Sequence, residues 1–463
     1  MANPCFARAP TATIFHLGRS VAALSGPWRF QAGDDYRYAQ PKWDDSHWET
    51  VQLTVAPPKP GADWSQPQPI PGWSARGHAG HAGYGWYRLR VVVDGAGGAP
   101  VAIAAPTQVD GGYQLYVDGA LVDEIGDFRG VHPVLYSIRP RLVRLPEVSP
   151  GQKGFDLAFR VWTPGPVTDA EAGGLRSAPQ IGVLENVRAL VDSQWVQTFK
   201  AYFVDAAEAA GILVLALMVM GLVAVNRNNQ SYLWLCAALV MTALVRVDQA
   251  VYFWSGTEAY WLYDLIGAVL LTPAALFAWV MAWRFWFEHR RLKWLTAAMA
   301  GLTGLYMALA LGARPWFSPG NPAQDAFAMA VDIIRIAFVS LYVLVVVAAT
   351  WKNRASWAGV LAFLAAICAA IGLFAPELST IGLKGVWFPY GAPVSRTQFA
   401  FAALIVMVFV AVLERFVRLA SPPKVEPVQA DAWGPIPAGA ALAAVPVMLG
   451  PRRLPRERTA GVP

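Results

Sequence analysis

The chain has 463 residues, 56% of them hydrophobic and only 15% charged, proportions that exclude an ordinary soluble globular protein with one compact core. Its formal net charge of +6 arises from 37 Lys and Arg against 31 Asp and Glu, with the basic residues set beside apolar blocks and in no dense run, so they report membrane topology and no nucleic-acid partner is expected. Cys5, Cys236 and Cys368 leave no disulfide framework within residues 6–200.

In chain order, the expected divisions are an N-terminal segment 1–19, a β-rich domain 20–198, a helical membrane domain 199–418 and a tail 419–463. The first segment lacks the basic start and unbroken apolar core of a secretory signal, which leaves either translation beginning upstream of Met1 or export driven by the first membrane helix. Residues 20–198 then alternate short β-type runs with turns. WYRLRVVV at 86–93 is aromatic and β-branched, and YQLYVDGALV breaks at Asp118-Gly119, a strong hairpin signal. Many short strands between regular turns predict an all-β sandwich or jelly roll. Trp28, Phe30, Trp48, Trp86 and Tyr87 are rings suited to fill the space between sheets, and Asp44, Asp45 and Ser46 are suited to turn the chain. The loop 64–85 is the candidate ligand-binding rim, offering Trp64, Trp73, His78 and His81. Two histidines without a third ligand do not make a metal site, and neither a metal nor another cofactor is expected.

The ordered motifs LSGPWRFQAGDDYRYAQPKWDDSHW, GYGWYRLRVVV and YQLYVDGALVDEIGDF resemble the sugar-binding jelly-roll domain of family 2 glycoside hydrolases. The resemblance implies a carbohydrate-binding fold. In those enzymes the two catalytic carboxyl groups that glycoside hydrolysis requires come from a separate barrel domain that has no counterpart here, so no catalytic residue is expected.

Seven apolar runs follow, at about 203–225, 231–253, 261–284, 294–312, 327–350, 357–375 and 397–416, each near the ~20 residues that a membrane helix needs. They predict an all-α seven-helix transmembrane bundle, with Pro273 kinking the third helix. With the first helix running inward, Arg227, Arg284, Arg290, Arg291, Lys293, Lys352, Arg354, Arg415, Arg418 and Lys424 fall in inner loops, against Arg314, Lys384 and Arg396 outside. That bias predicts the β domain outside the cytoplasmic membrane and the tail inside. Asp205, Glu208, Arg246, Asp248, Asp264, Asp332 and Arg335 all fall in the outer half, where intramembrane charge must be paired or wetted. They form either an outward-facing ionic cluster that responds to ligand, or local pairs such as Asp332 with Arg335.

A jelly roll followed directly by seven helices resembles the bacterial seven-transmembrane receptors with diverse intracellular signalling modules. The resemblance implies a sensor that binds a small extracellular ligand, carbohydrate-like or otherwise, and passes a signal to a cytoplasmic partner. Those receptors continue into a helical linker and a phosphatase, kinase or cyclase; here Pro422, Pro423 and Pro427 stop the last helix and a Pro- and Ala-rich tail, expected to be disordered, follows. The tail is read either as the end of a receptor that signals through a separate protein or as an out-of-frame translation. The alternative functions are a membrane-anchored carbohydrate-binding module and a transporter with a periplasmic capture domain.

Overall fold

The computed structural model describes residues 13–16, 20–55, 70–94, 99–147, 154–164, 172–288, 292–353, 357–380 and 395–420. Met1–Phe416 form one compact unit and Val417–Pro463 a second.

The strands are β1 (Thr13–His16), β2 (Ala22–Ala23), β3 (Trp28–Ala32), β4 (Glu49–Val51), β5 (Gly83–Asp94), β6 (Val101–Ala104), β7 (Val109–Asp110), β8 (Gly112–Val117), β9 (Ala120–Ile125), β10 (Leu142–Arg144), β11 (Phe155–Thr163), β12 (Gly174–Leu175) and β13 (Gln180–Val183). The larger sheet runs β4-β3-β5-β11-β8-β9, with β1 parallel to the end of β5; a second runs β10-β6-β13-β2, and β12 pairs β7. The arrangement is sandwich-like, and the two-residue period of a strand explains its core. Along β11, Phe155, Leu157, Phe159 and Val161 point into the main core with Trp28, Phe30, Tyr87, Leu115 and Ile181. Ala158 on the opposite face joins Trp86, Tyr116, Trp48 and Ala39 in a second cluster.

That outer face is covered by the segment before β4, which gives its aromatic and acidic residues their purpose. Asp34 accepts two hydrogen bonds from Arg160, at 2.7 and 2.6 Å, and Arg160 lies 3.9 Å from the Tyr84 ring centroid and 4.2 Å from that of Tyr36. Burial is the largest single influence and disfavours the Arg160 charge, yet the hydrogen bonds and charge of Asp34, together with Tyr84 and Tyr36, outweigh it and raise the guanidinium pKa. Arg88 holds the carbonyl oxygens of Gln40 and Trp43, at 3.0 and 3.3 Å, and Asp44 accepts from the Ser46 amide at 3.0 Å. Of the five rings expected between the sheets, Trp28, Phe30 and Tyr87 are there, while Trp48 and Trp86 seal the outer face.

The helices are α1 (Leu184–Val225), α2 (Gln230–Ser255), α3 (Tyr260–Asp264), α4 (Thr272–Trp286), α5 (Lys293–Gly312), α6 (Gln324–Asn353), α7 (Trp357–Leu373), α8 (Ala375–Thr380) and α9 (Arg396–Ala420). Among the described residues six stretches, counting α3 to α4 as one, are long and apolar enough to cross a membrane. Their outer faces expose Val214, Leu217, Ile333, Ile336, Val347 and Val406, an apolar surface that water would not tolerate. The chain is thereby a multi-pass membrane protein by the length and composition of its helices. The seventh expected run, 357–375, contains α7, which has 17 residues and is shorter than those six.

Two features differ from the sequence expectation. Helix α1 starts at Leu184, inside the stretch assigned to the β domain, and its 42 residues extend about 63 Å. Its first turns are amphipathic: Val187 and Val191 pack on Ala102 and Ala104 of β6, so the rod is docked on the sandwich before it becomes apolar all round. The chain around Pro273 does not simply kink. Proline has no amide hydrogen and its ring crowds the carbonyl four residues back, and the preceding Leu265–Leu271 widens into a π-helical stretch in which Thr272 Oγ1 donates to the Gly267 carbonyl at 2.7 Å.

Candidate functional site

The sandwich meets the α2–α3 end of the helices at a cleft of about 840 Å³, within the size range of small-molecule sites. One wall comes from the pairing of β7 with β12. Asp110 Oδ2 accepts from the Gly173 amide at 2.7 Å and from Arg176 Nη1 at 2.8 Å, while Arg176 Nε donates to the Ile70 carbonyl at 2.7 Å. Thr163 Oγ1 donates to the Asp110 carbonyl at 2.5 Å. Gly111 permits this close approach: a Cβ there would lie 1.9 Å from the Trp162 carbonyl oxygen. Gln108 and Thr107 extend the polar wall.

The facing wall is aromatic. Tyr252, Phe253, Tyr260 and Tyr263 come from the end of α2 and from α3, with the Tyr252 and Tyr263 rings stacked at 4.2 Å; Tyr136 adds a ring from the sandwich side. Ser137 also lines the cleft, and its buried hydroxyl has no hydrogen-bond partner among the described residues. Flat rings opposite a carboxylate, a guanidinium and neutral hydrogen-bonding groups suit a ligand with apolar faces and several hydroxyls.

The two walls are tied together by backbone. The Tyr260 amide donates to the Leu135 carbonyl at 2.8 Å, forming a bridge between Tyr136 and Ala259, and Arg139 Nη1 donates to the Ser255 carbonyl at 3.0 Å. The sandwich side of the cleft is thus bonded directly to the turn between α2 and α3.

Of the rim residues expected from the sequence, Trp73, His78 and His81 are not among the residues that line this cleft. Trp73 is only 1% exposed, packed between Phe30 and His81 in a slot left by Gly85 and Gly173, as part of the sandwich core. His78 pairs with Glu49, and His81 Nε2 lies 2.9 Å from the Tyr84 carbonyl; both rings are engaged in holding the loop. Trp64 lies outside the described residues. Among the described residues no three His, Cys, Asp or Glu side chains converge as a metal site.

The ionisable residues of the helices divide into separate groups and do not form one cluster. Asp205, Glu208 and Arg246 come together: Arg246 Nη1 donates to Asp205 Oδ1 at 2.6 Å, its Nε lies 4.0 Å from Glu208, and Phe401 of α9 stacks 4.6 Å from the guanidinium. Asp264 accepts from Trp316 Nε1 at 2.8 Å and pairs with Arg314 at 3.0 Å. Arg335 pairs with Glu377 of α8, and Asp332, three residues earlier on α6, is exposed; the alternative of a local Asp332–Arg335 pair gives way to a partner from another helix. Asp248 is buried beside Gly267 of the π-helical stretch. The aromatic wall had a signal in the sequence, the dense rings of VYFW and YWLYD on either side of one turn. Asp110 and Arg176 had none, since they meet only through a strand pairing across 66 residues.

No family model and no curated protein matches this chain. Among solved structures it is similar to a glycosyl hydrolase family 2 member from Bacteroides cellulosilyticus DSM 14838, with 16% identity, a TM-score of 0.25, and coverage of 35% of this chain and 20% of that one. It is also similar to a β-glucuronidase from Bacteroides uniformis, at 14% identity, TM-score 0.25 and coverage of 35% and 17%. A β-glucuronidase from Parabacteroides merdae matches at 14% identity, TM-score 0.24 and coverage of 36% and 22%. The chain spans about a fifth of the length of these proteins.

Proposed function

We propose that this chain is a sensor of the cytoplasmic membrane, with its sandwich, a jelly roll, outside and the end of α9 inside. A small polyhydroxylated ligand of carbohydrate type binds in the cleft, and seven helices, α7 among them, relay its presence to a cytoplasmic signalling partner. The chain itself performs no catalysis in this reading. The observation that carries it is the cleft's construction from both parts at once: one wall is sandwich, the other is the α2–α3 turn, and the two are bridged through Leu135 and Tyr260. A ligand shifts a conformational equilibrium only by binding one arrangement better than another, and a ligand that touches both walls does so whenever the walls move relative to each other.

The test is calorimetric titration of the purified full chain with a panel of neutral and acidic mono- and disaccharides, followed by hydrogen exchange with and without the best binder. Saturable binding that is lost in Asp110→Ala and Tyr136→Ala, with altered exchange at the inner ends of α2 and α4, supports a sensor. Protection confined to the sandwich would instead indicate an anchored binding module, and uptake of labelled sugar into proteoliposomes a transporter. No binding across the panel would sink the carbohydrate assignment.

A further inference from the structure

At the opposite end of the bundle from the cleft lies a second cavity of about 740 Å³, between the start of α2, the end of α4, the start of α5 and α9. Its lining includes three cations, Arg284, Lys293 and Arg415, with the amides of Asn228 and Gln230; Glu288 is the carboxylate among its described lining residues. Arg284 is the unusual member. It is 4% exposed; its Nη1 donates to Thr296 Oγ1, its guanidinium lies 4.8 Å over the Phe285 ring, and its Nε is buried without a hydrogen-bond partner. Among the described residues no carboxylate forms an ion pair with it.

A buried guanidinium without a counter-charge is costly, and the cost falls when an anion supplies both charge and acceptor oxygens. The surroundings favour an anion. Gln230 and Lys293 are the first residues of α2 and α5, whose N-terminal ends carry positive partial charge, and the residue preceding α5, Leu292, provides no side-chain cap for its free amides. Arg415 lies 5.1 Å from the Trp286 ring, which holds a further cation at the cavity.

We propose that this cavity is a phosphate-binding site, with Arg284 as its buried anchor and Lys293 and Arg415 at its mouth. Planar guanidinium groups match phosphate oxygens, and the cavity has room for the group that carries the phosphate. Two sources share this chemistry, the headgroup of an anionic phospholipid and a soluble phosphorylated molecule. The site is independent of the sugar cleft and stands whether or not the sensor assignment does.

The experiment uses the full chain in nanodiscs and reads thermal unfolding. In phosphatidylcholine discs, inorganic phosphate raises Tm above a sodium chloride control of equal ionic strength if the soluble source is correct. If the lipid is the source, discs containing phosphatidylglycerol raise Tm without added phosphate. In either arm Arg284→Gln and Lys293→Gln each weaken the apparent affinity about tenfold or more, the scale of one lost charge-assisted hydrogen bond. Should Arg284→Gln fail to fold, Lys293→Gln and Arg415→Gln decide the matter. The proposal is overturned if neither phosphate nor phosphatidylglycerol moves Tm beyond its control, or if the shift persists unchanged in the folded variants.

Discussion

Asp123 shows how much a single side chain depends on its surroundings. It is a buried carboxylate on β9, paired with Arg141 at 2.5 Å and accepting from the Tyr113 hydroxyl at 3.3 Å. Burial raises its pKa above the ordinary 3.8, and Arg141 opposes the shift only in part. Because the folded value lies above the unfolded one, this group's contribution to stability is fully present below the unfolded value and is lost as pH rises through the folded value. Asp123→Asn removes that step, so the Tm of the natural chain relative to the variant should fall as pH rises from below the ordinary aspartate range to neutrality. A flat difference across that range would show that the carboxylate does not titrate as described. Residue type was legible at such positions, but direction was not. Trp73, on a Gly-rich loop, reads equally well as a displayed ring or a buried one, and only the slot beside Gly85 and Gly173 turns it inward.

Elements with a local cause were read well. The hairpin from β8 to β9 turns at Asp118 and Gly119 with φ of 51° and 85°, the doubly positive geometry that two-residue hairpin loops favour, and Asp118 Oδ1 also accepts from the Asp156 amide at 2.8 Å. Gly119→Ala should cost about 1–2 kcal/mol by forcing an L side chain into left-handed backbone, whereas Asp118→Asn keeps both the permitted conformation and the acceptor. Thermal unfolding of the two variants checks this: equal Tm values would mean that the turn does not constrain the hairpin. Elements defined by their neighbours were read less well. The start of α1 carries Glu185, Arg188 and Asp192 and is too polar for a membrane run, so its helical stripe becomes meaningful only against β6. The π-helical stretch before Pro273 likewise answers to a steric demand that hydropathy does not register.

At the scale of the whole molecule, Asp205, Glu208 and Arg246 link α1 to α2 beneath the sandwich, with Phe401 of α9 closing the group. Arg246→Met leaves two carboxylates buried without their cation and should destabilise the chain by about 3–5 kcal/mol, and adding Asp205→Leu should recover part of that loss. Denaturant titration of the single and double variants measures the coupling directly. Additive losses would show that Asp205 and Arg246 do not act as a pair. The charges themselves were visible as intramembrane residues at similar depth, but their division into separate groups was not, because it depends on which helix faces which.

Composition and the length of apolar runs determined the membrane class and the order of a β domain before helices, since both follow from local physics: a lipid-crossing helix must be apolar along its own length, and strand and turn preferences act over a few residues. The cleft, the partner of Arg335 and the burial of Arg284 were decided only by tertiary structure. Asp110 meets Arg176, and the pair faces Tyr252 and Tyr263, only after strands and helices far apart in sequence have packed together. Arg335 takes Glu377 because α8 brings a carboxylate to its half-buried guanidinium, while Asp332, three residues away, stays exposed.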